Sequence, residues 1–167
     1  MHIHGASAVV DSELKEETCI KSDAGLITSI SFNCTETPDS LHSGTLIPGF
    51  VDIHSHGGGG FYFSDLSPEN VAAARNTHFT GGTTTHIASL VTEPIGVLEE
   101  QILRLLPMVN AGVFEGIHLE GPYLSHARCG AHEPSLLRSP TIAELSALID
   151  AGQGAISMVT LAPELDG

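Results

Sequence analysis

The sequence feature that most constrains the fold is a short apolar run between residues 46 and 60 that ends in a His-x-His pair and four glycines. A Pro-Gly pair precedes residues 50–53, which are apolar apart from one aspartate, and this pattern predicts a short buried strand. Side chains alternate between the faces of a strand, so His54 and His56 are expected to project side by side from its carboxyl end. Neutral imidazole is the commonest metal ligand in proteins. The pair therefore predicts a metal site at the mouth of a parallel α/β fold, and the alternative is two solvated histidines at a loop edge.

Length and composition favour a folded α/β protein. The chain has 167 residues, of which 41% are hydrophobic and 16% are charged, which suits one ordinary domain and argues against disorder. No run of about 18 consecutive apolar residues occurs and the N-terminus lacks the order of a signal peptide, so we expect a cytoplasmic protein without membrane contact. The formal net charge of -14 argues against nucleic-acid binding. The spacing of Cys19, Cys34 and Cys129 indicates neither a disulfide framework nor a zinc ribbon.

Residues 1–45 predict a small β-sheet unit, because short β-prone runs alternate there with turn signals. A second His-x-His pair, His2 and His4, lies at the N-terminus. It has no glycine loop and no second source of ligands nearby in the sequence. We therefore interpret this pair as a coincidence and not as a functional metal site.

From residue 46 onward, strand-like and helical runs alternate. The expected elements are helices at 67–79, 94–109 and 141–149 and strands at 83–90, 113–120 and 155–161. Such alternation predicts a parallel sheet with right-handed crossovers. The spacing is typical of a (β/α)8 barrel, but a whole barrel needs about 250 residues. Residues 46–167 are therefore expected to form the N-terminal half of a TIM-like (β/α)8 barrel, with about four βα units.

An acidic residue supplies a third candidate ligand. The strand at 113–120 runs into the sequence H-L-E-G-P at residues 118–122. Glu120 is expected at the carboxyl end of this strand, on the same mouth as His54 and His56 if the strands are parallel. A carboxylate that completes a histidine-rich divalent site is ordinary chemistry, whereas an unpaired glutamate there would be a solvated rim residue.

Four motifs occur together in the chain, namely L-I-P-G-F-V-D-I-H-S-H-G from residue 46, G-I-H-L-E-G-P-Y from residue 116, G-A-H from residue 130 and V-T-L-A-P-E from residue 159. In this order and spacing they resemble the N-acetylglucosamine-6-phosphate deacetylases, a family of the metal-dependent amidohydrolase superfamily. H-L-E-G-P and G-A-H are more specific than the H-x-H pair that the superfamily shares. The resemblance runs from residue 46 to the end, and the N-terminal unit is similar more weakly.

The resemblance implies roles for five residues. Glu120 would bind the catalytic divalent metal, and His54 and His56 match a pair found in members that hold a second ion. The site would hold one or two ions, with zinc as the expected metal and iron or another divalent ion as alternatives. Ala131 and His132 fall on the G-A-H loop that contacts the substrate.

Four further residues have weaker assignments. His118 matches the family motif as either a packing residue or a ligand, and His86 has no motif support and is interpreted as structural. Many relatives have a lysine before G-A-H, whereas this chain has Arg128 and Cys129. Arg128 would still supply positive charge, and Cys129 is either a reactive thiol or an inert small residue.

The activity that the resemblance implies is hydrolysis of N-acetylglucosamine 6-phosphate to glucosamine 6-phosphate and acetate. A divalent metal would activate water, and an aspartate would relay the proton to the leaving amine. The family's two further metal-binding histidines and this aspartate come from later strands, so we expect no turnover by residues 1–167 alone. The expected partners are a small amino-sugar phosphate and, in a full-length enzyme, a second copy in a homodimer. Two alternatives stay open: another amidohydrolase that acts on a cyclic amide or a nucleobase, and a truncated, non-catalytic half-barrel that binds metal or a partner protein.

Overall fold

A computed structural model describes residues 1–166, and the chain divides into two compact units, Met1–Pro48 and Gly49–Gly167. The first unit is a sheet with the strand order β3-β2-β1-β4. Its strands are β1 (His2–Val10), β2 (Glu13–Asp23), β3 (Leu26–Phe32) and β4 (Ser40–Leu46). β2 pairs antiparallel with both β1 and β3, and β4 pairs parallel with β1. These strands are longer than the β-prone runs in the sequence, because ladder hydrogen bonds extend them through polar residues.

The second unit alternates strands with helices. Its elements are β5 (Phe50–Ser55), β6 (Gly57–Gly58), β7 (Phe61–Tyr62), α1 (Pro68–Thr80), β8 (Thr83–Leu90), α2 (Ile95–Asn110), β9 (Gly116–Glu120), α3 (Ile142–Ala151) and β10 (Ile156–Thr160). β10, β9, β8 and β5 form one parallel sheet in that order. The chain is therefore a mixed α/β protein with a parallel sheet, as the alternation predicts.

Local signals determine where two of the helices begin. The Ser67 hydroxyl accepts a hydrogen bond from the Asn70 N–H and caps α1, and Pro68 occupies the first turn, where a missing N–H costs nothing. The Thr141 hydroxyl caps α3 in the same way through the Glu144 N–H. Both starts follow from the preference of Ser and Thr for the N-cap position, and all three predicted helices are confirmed.

The core of the second unit lies where the central strands meet the helices. Buried side chains from β8 and β9 pack with the apolar face of α2, and the fully buried members include Ala88, Leu90, Ile117, Leu119, Leu98, Ile102 and Leu105. Each fully buried Leu or Ile stabilises the fold by about 1.5–3 kcal/mol relative to exposure. This core holds β8 and β9 rigidly and so positions the residues at their carboxyl ends.

The sequence prediction for β5 is wrong in one respect, because its apolar residues are not buried. Phe50, Val51 and Ile53 are 54%, 65% and 52% exposed. The reason is that β5 lies at the edge of the sheet and pairs there with β8 alone. The glycines after β5 also form the β6–β7 hairpin and not an open loop.

Two further expectations need correction. β9 begins at Gly116 and not at residue 113, because the Val113 N–H donates to the Met108 carbonyl at the end of α2. In the first unit, the structure pairs Cys19 and Cys34 as a disulfide, with Cα atoms 6.0 Å apart, although their spacing indicates no disulfide framework. The hairpin between β2 and β3 brings them together, and this proximity is invisible in the spacing.

None of the helices described in residues 1–166 is both long and apolar enough to cross a membrane.

Candidate metal centre

Three side chains predicted as metal ligands meet at the carboxyl edge of the parallel sheet. His54 lies near the end of β5, His56 follows that strand, and Glu120 is the last residue of β9. The Glu120 Oε2 atom lies 2.9 Å from His56 Nε2 and 3.4 Å from His54 Nε2, and the two Nε2 atoms are 3.2 Å apart. Parallel strands of one sheet present their carboxyl ends at the same edge, so residues 64 or more positions apart in the chain become neighbours.

The geometry of these three donors fits a divalent cation. In a tetrahedral site with metal–nitrogen and metal–oxygen distances of about 2.0–2.2 Å, neighbouring ligand atoms are about 3.3–3.5 Å apart. The measured separations of 2.9–3.4 Å come close to these values. Two imidazoles and a glutamate are also a ligand set of zinc hydrolases. His54, His56 and Glu120 could therefore hold one metal ion together.

The charge state of Glu120 suits this arrangement. Burial raises the pKa of the Glu120 carboxyl, but the positive charges of His54, His56 and His132 outweigh burial and leave the pKa below its ordinary value. The carboxylate is therefore ionised at neutral pH and available as a ligand.

A second cluster of possible metal ligands contacts the residues of β5 and β6. Asp52, His78 and His86 place one donor atom each within 4.8 Å of one another. Their polar atoms already have partners: the Asp52 carboxylate accepts the His54 N–H, the His86 ring bonds the Ser55 hydroxyl, and His78 Nε2 lies 2.9 Å from the Gly57 carbonyl. We therefore assign this cluster to holding the backbone under the metal ligands. His86, buried against aromatic rings, fits the structural role that the sequence suggests.

Of the two roles open to His118, the structure favours packing. The residue is completely buried, with Nδ1 3.0 Å from the Ser89 hydroxyl and Nε2 2.8 Å from the Thr160 hydroxyl. Burial, followed by the charge of His54, lowers the pKa of His118. Because both ring nitrogens have hydrogen-bond partners, His118 supports the His54 ring, 5.0 Å away between centroids, and does not reach the three-donor site.

His132 enters the site through Thr92, a residue that sequence reasoning missed. Because the Thr92 hydroxyl gives its single proton to the Glu120 carbonyl, the close contact between this hydroxyl and His132 Nδ1 is a hydrogen bond that the Nδ1–H donates, and Nε2 is left as an acceptor. His132 Nε2 lies 3.5 Å from Glu120 Oε2. The Thr92 hydroxyl lies 2.8 Å from His132 Nδ1 and donates to the Glu120 carbonyl oxygen over 3.2 Å. Thr92 thus connects the G-A-H loop to the end of β9. Its position just after the carboxyl end of β8 was the one feature of the sequence that could have indicated a place at the site.

These residues line a cleft of about 660 Å³. Beyond the three-donor site, the walls include the whole segment from Arg128 to His132, so Ala131 and His132 both face the cleft, as does the guanidinium-bearing Arg128. Cys129 is a free, half-buried thiol on the same wall. A cleft with a metal-ligand cluster on its floor and a cation on its wall can accept a small anionic ligand.

The long loop after β9 contributes fewer donors than its composition suggests. Two short 3-10 turns, at His126–Arg128 and Pro134–Leu136, shape this loop. Arg138 pairs with Glu144 of α3 at 2.6 Å, and neither Arg138 nor His126 lines the cleft among the described residues. Of the donors in this loop, Arg128, Cys129 and His132 are the ones at the cleft wall.

Comparison with known proteins agrees with the geometry. No protein-family model matches the chain. The N-acetylgalactosamine-6-phosphate deacetylase of Shewanella sp. (strain ANA-3) is 31% identical over 96% of this chain and 43% of its own length. The N-acetylglucosamine-6-phosphate deacetylase of Danio rerio is 37% identical over 72% of this chain and 32% of its own length.

A solved structure aligns over the whole chain. It is that of a variant N-acetyl-D-glucosamine-6-phosphate deacetylase from Mycobacterium smegmatis in complex with N-acetyl-D-glucosamine-6-phosphate, with a TM-score of 0.92 and 39% identity over 100% of this chain and 44% of that chain. The chain thus spans less than half the length of these relatives. The resemblance that the four motifs suggest is confirmed, and the chain belongs, over part of the length of its members, to the N-acetylglucosamine-6-phosphate deacetylase family.

Proposed function

We propose that this chain is the metal-binding part of an amidohydrolase that removes the N-acetyl group from N-acetylglucosamine 6-phosphate, giving glucosamine 6-phosphate and acetate. The observation that carries the proposal is the convergence of His54, His56 and Glu120 on one point at the floor of a cleft whose wall is the G-A-H loop. Relatives with this activity in their names support the choice of substrate class.

The site residues have distinct tasks in this proposal. A divalent ion bound by His54, His56 and Glu120 would polarise the amide carbonyl and lower the pKa of the attacking water. Zinc suits two imidazoles and a carboxylate best; iron or a second ion are the alternatives to test. The chain itself orients the substrate: His132, held by Thr92, accepts a hydrogen bond from a sugar hydroxyl at Nε2, and Arg128 attracts the phosphate in a chain with a net charge of -14. Ala131, with its small side chain, leaves room for the sugar beside His132.

The proton-relaying aspartate that the family resemblance implies has no counterpart in this part of the cleft, since no aspartate within residues 1–166 lines it. Three glutamates do: Glu120 belongs to the three-donor site, and Glu93 lies outside that site. Glu133 caps its own 3-10 turn, where it accepts from the Ser135 N–H and hydroxyl. We therefore propose that turnover needs a longer polypeptide, and that residues 1–167 alone bind metal without hydrolysing the substrate.

The same reasoning extends to the fold. We propose that the second unit is half of a (β/α)8 barrel, because its four parallel strands follow one another in chain order and its edge strand exposes Phe50, Val51 and Ile53. Further barrel strands would cover that edge. A homodimer of the longer enzyme is a proposal from family resemblance alone.

A second candidate substrate is N-acetylgalactosamine 6-phosphate, which differs at one hydroxyl configuration. The Shewanella relative, named for that substrate, matches 96% of this chain. The M. smegmatis structure, crystallised with the glucosamine compound, matches all of it at higher identity. The two compounds should therefore be assayed side by side.

The metal part of the proposal is tested by elemental analysis of the chain and of two glutamate variants. Glu120→Gln removes the ligand charge and should release one equivalent of metal from the cleft. Glu93→Gln is the matched control, since Glu93 lines the same cleft outside the three-donor site. Equal metal content in both variants would contradict the assignment of Glu120.

The catalytic part is tested in a chimera. Residues 1–167 would replace the corresponding part of the M. smegmatis enzyme, which they match over their whole length. We expect the chimera to release acetate from N-acetylglucosamine 6-phosphate, and its Glu120→Gln form to lose that activity. A folded, metal-loaded chimera that hydrolyses neither amino-sugar phosphate would refute the proposed function and leave the metal result standing.

A further inference from the structure

A third convergence of metal-ligating side chains lies in the first unit, far in sequence from the cleft residues. One donor atom each from His2, His4 and Cys19 lies within 4.8 Å of the other two. The sulfur of Cys34 is in contact with that of Cys19. Two imidazoles and two cysteine sulfurs, which the structure pairs as a disulfide, therefore meet on one small sheet, and the proposed deacetylase chemistry uses none of them.

The strand register explains this meeting. His2 and His4 are two residues apart on β1 and so share a face, with ring centroids 4.7 Å apart. Cys19 of β2 is the direct cross-strand partner of His4, and such partners share a face of the sheet. Just after β3, the Asn33 N–H donates to the Glu17 carbonyl over 3.0 Å, which brings Cys34 beside Cys19. The expectation that His2 and His4 have no further ligand nearby was therefore wrong, because it considered residues close in the sequence and not residues paired across the sheet.

The two imidazoles of this group lack ordinary partners at Nε2, whereas the Cys34 sulfur lies 3.4 Å from the Glu17 carbonyl oxygen. The Nε2 atoms of His2 and His4 are both buried and have no hydrogen-bond partner among the described residues, and Cys19 is 3% exposed. A buried nitrogen without a partner costs about 1–3 kcal/mol, so such atoms in a native fold require an explanation. A disulfide between Cys19 and Cys34 would use the two sulfurs but would leave both imidazoles unsatisfied. A cation bound by all four side chains satisfies every one of them.

We propose that His2, His4, Cys19 and Cys34 bind a zinc ion as a closed, structural site. Two thiolates and two imidazoles are an established tetrahedral zinc set, with zinc–sulfur distances of about 2.3 Å and zinc–nitrogen distances of about 2.0–2.1 Å. Those values place neighbouring ligand atoms about 3.3–3.8 Å apart. Side-chain rotations can reach them from the present separations of up to 4.8 Å among His2, His4 and Cys19, and the two sulfurs, now in contact, would move apart. The charges of two thiolates and one Zn²⁺ cancel. Four protein ligands leave no position for a substrate, so this ion would stabilise the sheet and take no part in hydrolysis.

Cobalt substitution tests the proposal in the whole chain under reducing conditions. Thiolate ligands give Co²⁺ a sulfur-to-metal charge-transfer band, which His54, His56 and Glu120 cannot produce. We expect the wild-type chain to show this band with two equivalents of Co²⁺, one for the cleft and one for the sheet. Cys34→Ser should lower the intensity of the band at least about twofold, since it removes one of two thiolates, and His4→Ala should weaken Co²⁺ binding so that the band needs a higher Co²⁺ concentration. Matched controls should retain it: Cys129→Ser, which removes the cleft thiol, and His42→Ala, which removes an exposed imidazole of the same sheet.

A second measurement does not depend on any variant folding. X-ray absorption of the wild-type chain loaded with zinc at both sites should show on average about one sulfur ligand per zinc, because the site on the sheet supplies two sulfurs and the cleft supplies none. A shell of nitrogen and oxygen alone would overturn the proposal. So would a chain in which Cys19 and Cys34 form a disulfide as purified and which, after reduction, gives no charge-transfer band.

Discussion

A methyl group at position 121 would break the connection between the metal ligand and the loop wall. Gly121 follows Glu120 directly and has a φ of 88°, a backbone conformation that strains a residue with a side chain. A Cβ atom there would overlap the Thr92 side-chain oxygen. That oxygen lies 3.2 Å from the Glu120 carbonyl and 2.8 Å from His132 Nδ1, and Thr92 is 4% exposed. We therefore expect Gly121→Ala to displace Thr92 and to break both contacts.

The magnitude follows from two contributions. The positive φ costs an alanine about 1–2 kcal/mol. Loss of two hydrogen bonds at about 0.5–1.5 kcal/mol each adds about 1–3 kcal/mol. Gly154→Ala is a matched control, because Gly154 has a φ of 90° and open space around its Cβ position, so it carries the first cost alone. We expect the free energy of unfolding to fall by about 2–5 kcal/mol in Gly121→Ala and by about 1–2 kcal/mol in Gly154→Ala.

Calorimetry and metal titration provide the assay. In a domain of this size, 1 kcal/mol corresponds to about 2–4 °C in Tm, so the Tm of Gly121→Ala should lie about 2–12 °C below that of Gly154→Ala. Because Glu120 is the adjacent residue, Gly121→Ala should also bind metal in the cleft more weakly, whereas Gly154→Ala should bind it normally. Equal Tm values together with equal metal affinities would refute the reasoning, since Thr92 would then not couple Glu120 to the loop.

Three further predictions concern substrate binding, pH and association. In the active chimera, His132→Ala should lower kcat/KM about 5- to 150-fold, the equivalent of about 1–3 kcal/mol, and leave metal content intact; a lower Tm with unchanged kinetics would identify His132 as a loop brace alone. Burial lowers the pKa of His86, so the neutral His86 imidazole stabilises the fold fully above the ordinary pKa of about 6.5, and this stabilisation is lost as the pH falls below that value. The Tm of His86→Gln should therefore fall less between pH 7 and pH 5 than the Tm of the wild type. The exposed apolar edge of β5 should make residues 1–167 self-associate, and light scattering should show a smaller particle for Ile53→Lys but not for the control Leu66→Lys, which changes an exposed apolar side chain outside β5.

Some of the site could be predicted because its causes are local. The Ser67 and Thr141 caps act within one helical turn. The side-by-side projection of His54 and His56 follows from the two-residue repeat of a strand, and the place of Glu120 follows from the rule that parallel strands end at one edge. The four motifs identified the family for the same reason, since each is a short run of neighbouring residues.

Other features depend on register, which neighbouring residues do not reveal. Nothing near Thr92 in the sequence indicates that it bonds His132, 40 positions later. The exposure of β5 is likewise decided by which strands pair with it and not by its own apolar residues.

The sequence by itself determined the elements, the family and the three candidate ligands of the cleft, because caps, side-chain alternation and motifs act over a few residues. Only the tertiary structure decided which distant side chains meet. His4 faces Cys19 because β1 and β2 pair in one particular antiparallel register, and a shift of one residue would turn the side chains of one strand to the opposite face. Contacts of this kind depend on packing and hydrogen bonding across the whole sheet, and for that reason the four-residue group of the first unit became visible only in the folded chain.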